Sequence, residues 1–391
     1  MQVLVLGGGY AGVVLARRLE RSLPEAAELT VVDESPTHLV QHELHRLVRT
    51  PGMAESITVE FEDLFFRARF VRGEVTEIDE AAGVARLADD TELSFDYAAV
   101  CLGAGTAYYD LPGVEAHSTP LKRLQDAETI RERFLELVDA TEGRTVVGGA
   151  GLSGVQVAGE LAELADEREV AEAVDVVLVE QADQVAPGFP DHFSDAVHEA
   201  LEAVGVEVRT GMTITGATDA AVEFDTGALD YDQLVWTGGI RGTPPLDGER
   251  PTVPATLRRD DRTFVIGDAA RVVDEEGNLV PATAQAAMAE ARVAARNIDR
   301  LVRHDLEGQG FEPRLETVDF EASGWIVSVG AQTVAQVGPF VFRDTAARAL
   351  KTAVGARYLT GVGAVRQAVG LVGDEFVAPA GAEGPAESPS D

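Results

Sequence analysis

Val3-Leu4-Val5-Leu6-Gly7-Gly8-Gly9-Tyr10-Ala11-Gly12 opens the chain, and its reading decides the fold. Four consecutive apolar residues suit a strand buried on both faces. Gly7, Gly9 and Gly12 fill GxGxxG spacing. The first permits a tight turn, the second lets backbone approach a pyrophosphate, and the third lets the following helix pack on the strand. That helix, continued amphipathically by Val13 to Leu19, offers its free N–H groups to phosphate oxygens. Leu29-Thr30-Val31-Val32-Asp33 reads as a second strand. It ends in an acid about twenty residues beyond the last glycine, where the fingerprint requires a carboxylate for a ribose hydroxyl. The order of these parts predicts dinucleotide binding by Gly7, Gly9, Tyr10, Ala11, Gly12, Asp33 and Glu34.

The pattern recurs at Thr145-Val146-Val147-Gly148-Gly149-Ala150-Gly151-Leu152-Ser153-Gly154. Gly149, Gly151 and Gly154 take the glycine positions, and the strand Val176-Val177-Leu178-Val179 ends in Glu180. An acid there accepts from the adenosine 2′-OH and repels a 2′-phosphate; Gln181 follows it where an arginine would suit NADPH, so NADH is the expected ligand. One fingerprint alone could be an empty Rossmann-like unit. Two complete copies predict a relay in which hydride passes from a nicotinamide to a flavin.

Composition narrows the class. The 391 residues carry 67 acids against 32 basic residues, a formal charge of −35, while 45% hydrophobic content is enough for a buried core. Such a surface repels a phosphate backbone, so no nucleic-acid partner is expected. Lysine occurs only at Lys122 and Lys351, and the dispersed acidity resembles that of proteins from salt-loving archaea. Cys101, alone, excludes an internal disulfide and a redox dithiol. Met1 leads directly into a strand without a basic leader, and no apolar run reaches the ~18 residues of a spanning helix. The expected location is the cytoplasm.

Further motifs resemble the two-dinucleotide-binding-domain flavoproteins. Glu74 to Asp79, followed by Leu93 to Gly103, is similar to that group's β-meander and "YDxLVxAxG" strand, which brings Val75 and Gly103 to the flavin. Leu234 to Gly242 resembles its "WxAGxxG" crossover, with Gly239. Thr263-Phe264-Val265-Ile266-Gly267-Asp268 is similar to its "hFxhGD" strand, where the aspartate holds the ribityl chain of FAD. Within the group, the chain resembles the type II NADH dehydrogenases over about residues 1 to 360. The resemblance rests on Val32 to Leu44 ("DxxxxHLFQPLL"), Gly148 to Gln156 ("GGAGFTGIE") and Pro281 to Met288 ("PPTAQxAM"). The last segment places Ala284 and Gln285 near the flavin ring, at a helix N-terminus whose partial positive charge favours a reduced flavin.

The implied fold is α/β: two Rossmann-like dinucleotide-binding domains, the FAD domain discontinuous with the NADH domain inserted, and a C-terminal α+β module. The expected boundaries are 1–114 for the first FAD part, 115–236 for NADH, 237–310 for the second FAD part and 311–377 for the module. A disordered tail, 378–391, follows. The implied cofactors are FAD and NADH, and the implied partner is a quinone or another electron acceptor; the resemblance also admits a homodimer. Gln285 and Gln156 are the catalytic candidates. Gln156 stands where the family has a glutamate and cannot relay a proton, and Ala289 replaces the second glutamine of "AQxxxQ". Quinone reduction is thus the less secure half. The alternatives are a soluble NADH-dependent reductase of a ferredoxin, a rubredoxin or oxygen, and, in another class, a flavin-binding redox sensor or assembly protein.

After Gly308, strands are expected at Thr317–Phe320, Trp325–Gly330 and Thr333–Val337, then a segment unlike the rest of the chain. Between Gly338 and Gly373 stand Arg343, Arg348, Lys351, Arg357 and Arg366 against the single acid Asp344. Two readings of residues 343–373 stand side by side: a peripheral dock for anionic lipid on the cytoplasmic membrane face, or cations paired with acids elsewhere in the fold. His38, His42 and His45 fit cofactor contact or plain surface better than metal ligation, and no metal site is assigned. Cys101, Trp236 and Trp325 read as packing residues.

Overall fold

The computed structural model describes residues 1–308 and 310–376. Two five-stranded parallel sheets dominate it. The first runs in the order Thr263–Val265, Tyr97–Val100, Gln2–Leu6, Glu28–Asp33, Arg69–Arg72. Its edge strand Thr263–Val265 arrives only after the second sheet has been built, so one Rossmann-like unit interrupts the other. That second sheet is ordered Thr119–Pro120, Gln233–Trp236, Gly143–Gly148, Val174–Val179, Glu207–Arg209. The central strands are the continuous apolar runs of the sequence, and Tyr97–Val100 and Gln233–Trp236 are buried at every position, as a parallel sheet covered on both faces requires.

Helices cover these sheets: α1 (Tyr10–Ser22), α2 (Arg46–Arg49), α3 (Phe61–Leu64), α4 (Val114–His117), α5 (Leu124–Ala140), α6 (Leu152–Glu167), α7 (Asp191–Ala203), α8 (Ala284–Glu307), α9 (Asp344–Val362) and α10 (Val365–Phe376). α1 and α8 pack together, burying Leu15 and Leu19 from one and Ala291, Ala294 and Ile298 from the other. Each such leucine contributes about 1.5–3 kcal/mol, while the alanines let the helices approach closely. An antiparallel meander interrupts each Rossmann-like unit, at 75–94 before Tyr97–Val100 and at 214–230 before Gln233–Trp236.

The strands Trp325–Val329, Gln332–Val337 and Phe340–Arg343 form an antiparallel sheet against which α9 lies. Thr317–Phe320 is not a strand, contrary to its alternating pattern. Val318 is buried and its N–H donates to Ala255 O at 2.8 Å, a single tie where a ladder would need a neighbouring strand. Trp325 packs edge-on against Phe189, and Trp236 donates its ring N–H to Ala107 O at 2.8 Å, so both are packing residues. The 378–391 tail lies outside the described residues. None of the described helices is long and apolar enough to cross a membrane.

Candidate cofactor sites and a buried charge network

At the first glycine turn, Gly12 lies so close to the preceding loop that a Cβ there would meet Gly7 O at 1.8 Å. The second turn repeats this contact: a Cβ on Gly154 would stand 1.9 Å from Gly149 O and 2.6 Å from Thr237 Oγ1. A Cβ on Gly9 or Gly151 would instead meet nothing within 4 Å, so both open onto space. Those two residues are the N-caps of α1 and α6, and neither helix has a side-chain cap. By contrast, α8 is capped by Thr283, whose Oγ1 accepts from Ala286 N–H at 3.2 Å. Two helix N-termini with no side-chain cap, each facing open space, are ready anion sites and fit the pyrophosphates of FAD and NADH.

Both strand-end acids already hold their own turns. Asp33 accepts from Gly8 N–H (2.6 Å) and Ser35 N–H (2.8 Å). Glu180 accepts from Ala150 N–H (2.7 Å) and Ala182 N–H (2.9 Å). A carboxylate oxygen has two lone pairs, so each acid can still accept from a ribose hydroxyl. Burial raises the Asp33 carboxyl, a shift opposed by the Gly8 and Ser35 N–H groups. Glu34 is exposed and paired with Arg123 at 2.8 Å.

The flavin candidates from three stretches of chain converge. A Cβ on Gly267 would touch Ala11 at 3.2 Å and Ala287 at 3.5 Å, bringing together the start of α1, the Gly267-Asp268 turn and α8. Asp268 lies beside Ala282 and Thr283, immediately before Ala284. Val75 is buried in the first meander, and Gly103 is half-buried just beyond Tyr97–Val100. Gln285 donates to Gly324 O at 3.2 Å, tying α8 to the approach to the C-terminal sheet. Gly239 packs on Tyr109, while neighbouring Gly238 sits against Gly149. Gln156 is half-buried at the start of the second turn of α6, and Cys101 is buried, its thiol raised by burial.

The histidines are not plain surface. His38 is fully buried: its Nδ1 is 2.9 Å from Gly8 O and its Nε2 is 2.8 Å from the Tyr358 hydroxyl. Burial lowers its pKa to about 4, so the ring is neutral, donating to Gly8 O and accepting from Tyr358. Tyr10, in the first glycine turn, bonds to His42 and packs on Tyr358 at 4.9 Å.

Below this cluster lies a charge network; in it Lys351, and elsewhere Arg343, pair with distant acids, as the second reading of 343–373 expected, though the sequence identifies neither partner. Glu43 and Lys351 pair at 3.0 Å with almost no exposure, and Lys351 Nζ donates to Ser328 Oγ at 2.8 Å. Burial alone would raise the Glu43 carboxyl, but Lys351, His42, His45 and Arg46 hold it well below the ordinary range. Glu160, on α6 one turn beyond Gln156, pairs with Arg49 at 2.6 Å, and Arg49 reaches Glu167 at 3.1 Å. Its carboxyl is raised by burial despite Arg49. His45 stands 3.7 Å from Glu160 as a neutral ring, its pKa driven down by burial and then by Lys351. The available signal was compositional: Lys351 is one of two lysines in the chain.

Of the five cations of 343–373, only Lys351 is buried. Besides Lys351, Arg343 pairs with Glu199 at 2.7 Å and Arg348 donates to Ala331 O. The region exposes both apolar and basic side chains: Val365, Val369 and Val372 fall on one face of α10, with Phe340 and Phe342 on the last hairpin, and Arg343, Arg357 and Arg366 are exposed as well.

Two nucleotide-binding units, one threaded through the other and each with an uncapped helix and a strand-end acid, define a two-dinucleotide oxidoreductase architecture. The family model for pyridine nucleotide-disulphide oxidoreductases matches residues 1–291, and the chain belongs to that family. It is 26% identical over 341 residues to the NADH dehydrogenase-like protein YutJ of Bacillus subtilis, covering 84% of this chain and 90% of that one. It is 29% identical over 388 residues to a type II NADH:quinone oxidoreductase of Staphylococcus epidermidis, covering 89% and 91% respectively. Its fold is similar to that of NDH2 from Plasmodium falciparum in complex with NADH, with a TM-score of 0.81 at 14% identity, over 96% of this chain and 98% of that one.

Proposed function

We propose that this chain is an FAD-dependent NADH:quinone oxidoreductase. The observation that carries the reading is the pair of uncapped helix N-termini, each with its strand-end acid, in a chain whose relatives include type II NADH:quinone oxidoreductases. Bound FAD would supply a two-electron carrier between NADH and the quinone, whose reduction to the quinol also takes up a proton from solvent. The first turn and α1 bind its pyrophosphate, Asp33 takes its ribose, and Asp268 orients the ribityl chain. The N-terminus of α8, at Ala284 and Gln285, supplies partial positive charge beside the ring. At the second turn, α6 binds the NADH pyrophosphate and Glu180 takes the adenosine ribose. Hydride transfer needs alignment more than proton exchange, so Gln156, which cannot titrate, does not impede it.

The test is a purified, FAD-loaded protein in molar salt, mixed with NADH, NADPH, a short-chain quinone and an iron–sulfur protein. NADH should bleach the flavin faster than NADPH, and the quinone should restore its colour. Glu180→Gln should lower the preference for NADH by about tenfold, since it removes a charge-assisted bond and the repulsion of a 2′-phosphate. A protein that favours NADPH, or turns over the iron–sulfur protein and no quinone, overturns the reading.

The acceptor reaches the site from a membrane surface, to which the C-terminal module docks. This rests on the apolar face of α10 together with the exposed Arg357 and Arg366 beside it. Replacing Val365, Val369 and Val372 with serine is expected to lower co-sedimentation with lipid vesicles about tenfold or more, because each exposed valine contributes on the order of 1 kcal/mol on burial. Flavin reduction by NADH should be unchanged. Equal partition of the variant and the parent would show that α10 is not the contact.

A further inference from the structure

The turn at the end of Thr263–Val265 is held from both sides by residues that no sequence motif singled out. On its amide side, Gly267 N–H donates to Glu290 Oε2 at 2.6 Å. On its carbonyl side, Arg250 donates from Nε to Asp268 O and from Nη2 to Ala270 O, both at 2.7 Å. Glu290 is 3% exposed and comes from the second turn of α8; Arg250 comes from the loop ahead of the strand. Glu290, Arg250 and Asp268 surround the same closely packed spot. A four-residue turn that begins in the left-handed region, with Gly267 at φ +66°, has little intrinsic rigidity. A buried carboxylate and a guanidinium acting on opposite edges supply it.

We infer that Glu290 and Arg250 are positioning residues for the flavin, clamping Gly267–Ala270 so that the Asp268 carboxylate stays aimed at the ribityl chain; this rests on the assignment of FAD to that turn. The clamp is sensitive to protons. Burial pushes the Glu290 carboxyl up to about 7, with the Gly267 N–H and Arg250 opposing the rise and Asp268 adding to it. The other groups facing it are few. Cys101 at the end of Tyr97–Val100 has its own thiol raised by burial and Glu290; α1 presents Ala11 to the turn; Arg271 and Lys122 act one step removed, on Arg250 and Asp268. Above about pH 7 the ionised carboxylate makes a charge-assisted bond to Gly267, roughly twice as strong as the neutral one formed below it. The turn therefore loosens as pH falls through that value.

The experiment follows FAD release from the purified holoprotein by the gain in flavin fluorescence on dilution, at pH values from 6 to 8. The parent protein should release FAD about tenfold faster at pH 6 than at pH 8. Glu290→Gln, nearly isosteric, should release it at the parent's pH 6 rate throughout, with a flat profile, and Arg250→Met should speed release at every pH. A flat parent profile, or an unchanged inflection in Glu290→Gln, overturns the inference. Gly12→Ala, which should purify without FAD, and Asp268→Ala, which should release it faster, test the assignment beneath it. If Gly12→Ala keeps its FAD and Asp268→Ala does not speed release, FAD is not held here and both readings fall. If either behaves as expected while Glu290→Gln titrates like the parent, the positioning role alone falls.

Discussion

Gly154→Ala should yield a yellow protein that NADH can scarcely reduce. The added methyl would stand 1.9 Å from Gly149 O, a backbone atom that cannot move without dragging the second glycine turn with it, and 2.6 Å from Thr237 Oγ1. Displacing that backbone costs about 3 kcal/mol and misdirects the α6 N–H groups proposed to bind pyrophosphate, so flavin reduction at low NADH should slow by roughly a hundredfold or more. FAD should stay bound, because its turn belongs to the other sheet. Gly12→Ala is the reciprocal case: a methyl 1.8 Å from Gly7 O distorts the first turn, and the protein should purify colourless. The two spectra decide the assignment of nucleotides to turns. A colourless Gly154→Ala protein alongside a yellow Gly12→Ala one would reverse it.

Lys351→Met should be the most destabilising substitution outside the glycine turns. It leaves the Glu43 carboxylate buried without its ammonium, a situation that costs about 3–5 kcal/mol. Because the pair is almost unexposed, molar salt should screen the loss little. Denaturant unfolding of the FAD-loaded protein measures it, and Lys351→Met combined with Glu43→Gln should recover much of the loss. The pair also sets an acid limit. The folded-state pKa of Glu43 is depressed, so its contribution is fully present above the ordinary glutamate value and disappears as pH falls below it toward the folded value. The parent should therefore lose stability in acid over a range in which the double variant changes less. Equal stability of Lys351→Met and the parent would remove the pair from any structural role.

What the sequence made legible was local. The two glycine turns, their strands and the acids Asp33 and Glu180 lie within a few tens of residues of one another, and each has a geometric reason to be the residue it is. The interrupted α/β architecture was legible because the fingerprint occurs twice and the Gly267-Asp268 strand comes after the second copy. What was hidden depends on distant partners. His38 meets Tyr358 across 320 residues, and nothing in either segment announces the other. His38 and His45 looked compatible with the surface because a neutral buried histidine has no spacing signature. The basic run near the C-terminus was visible, but not that Lys351 faces Glu43 and Arg343 faces Glu199. Thr317–Phe320 alternates like a strand, yet alternation specifies a face and not a neighbour to pair with.

The interruption of the first sheet has a consequence for biosynthesis. Tyr97–Val100 leaves the ribosome long before its partner Thr263–Val265 exists. At about 5–20 residues per second, one apolar flank of the nascent unit stays uncovered for roughly 8–30 seconds while the whole of the inserted unit is made. The inserted unit has all its strands in one continuous stretch and can mature first. A chain arrested before residue 263 should thus acquire a protease-resistant NADH unit while its N-terminal segment remains digestible. Translation past α8 then completes the flavin unit last.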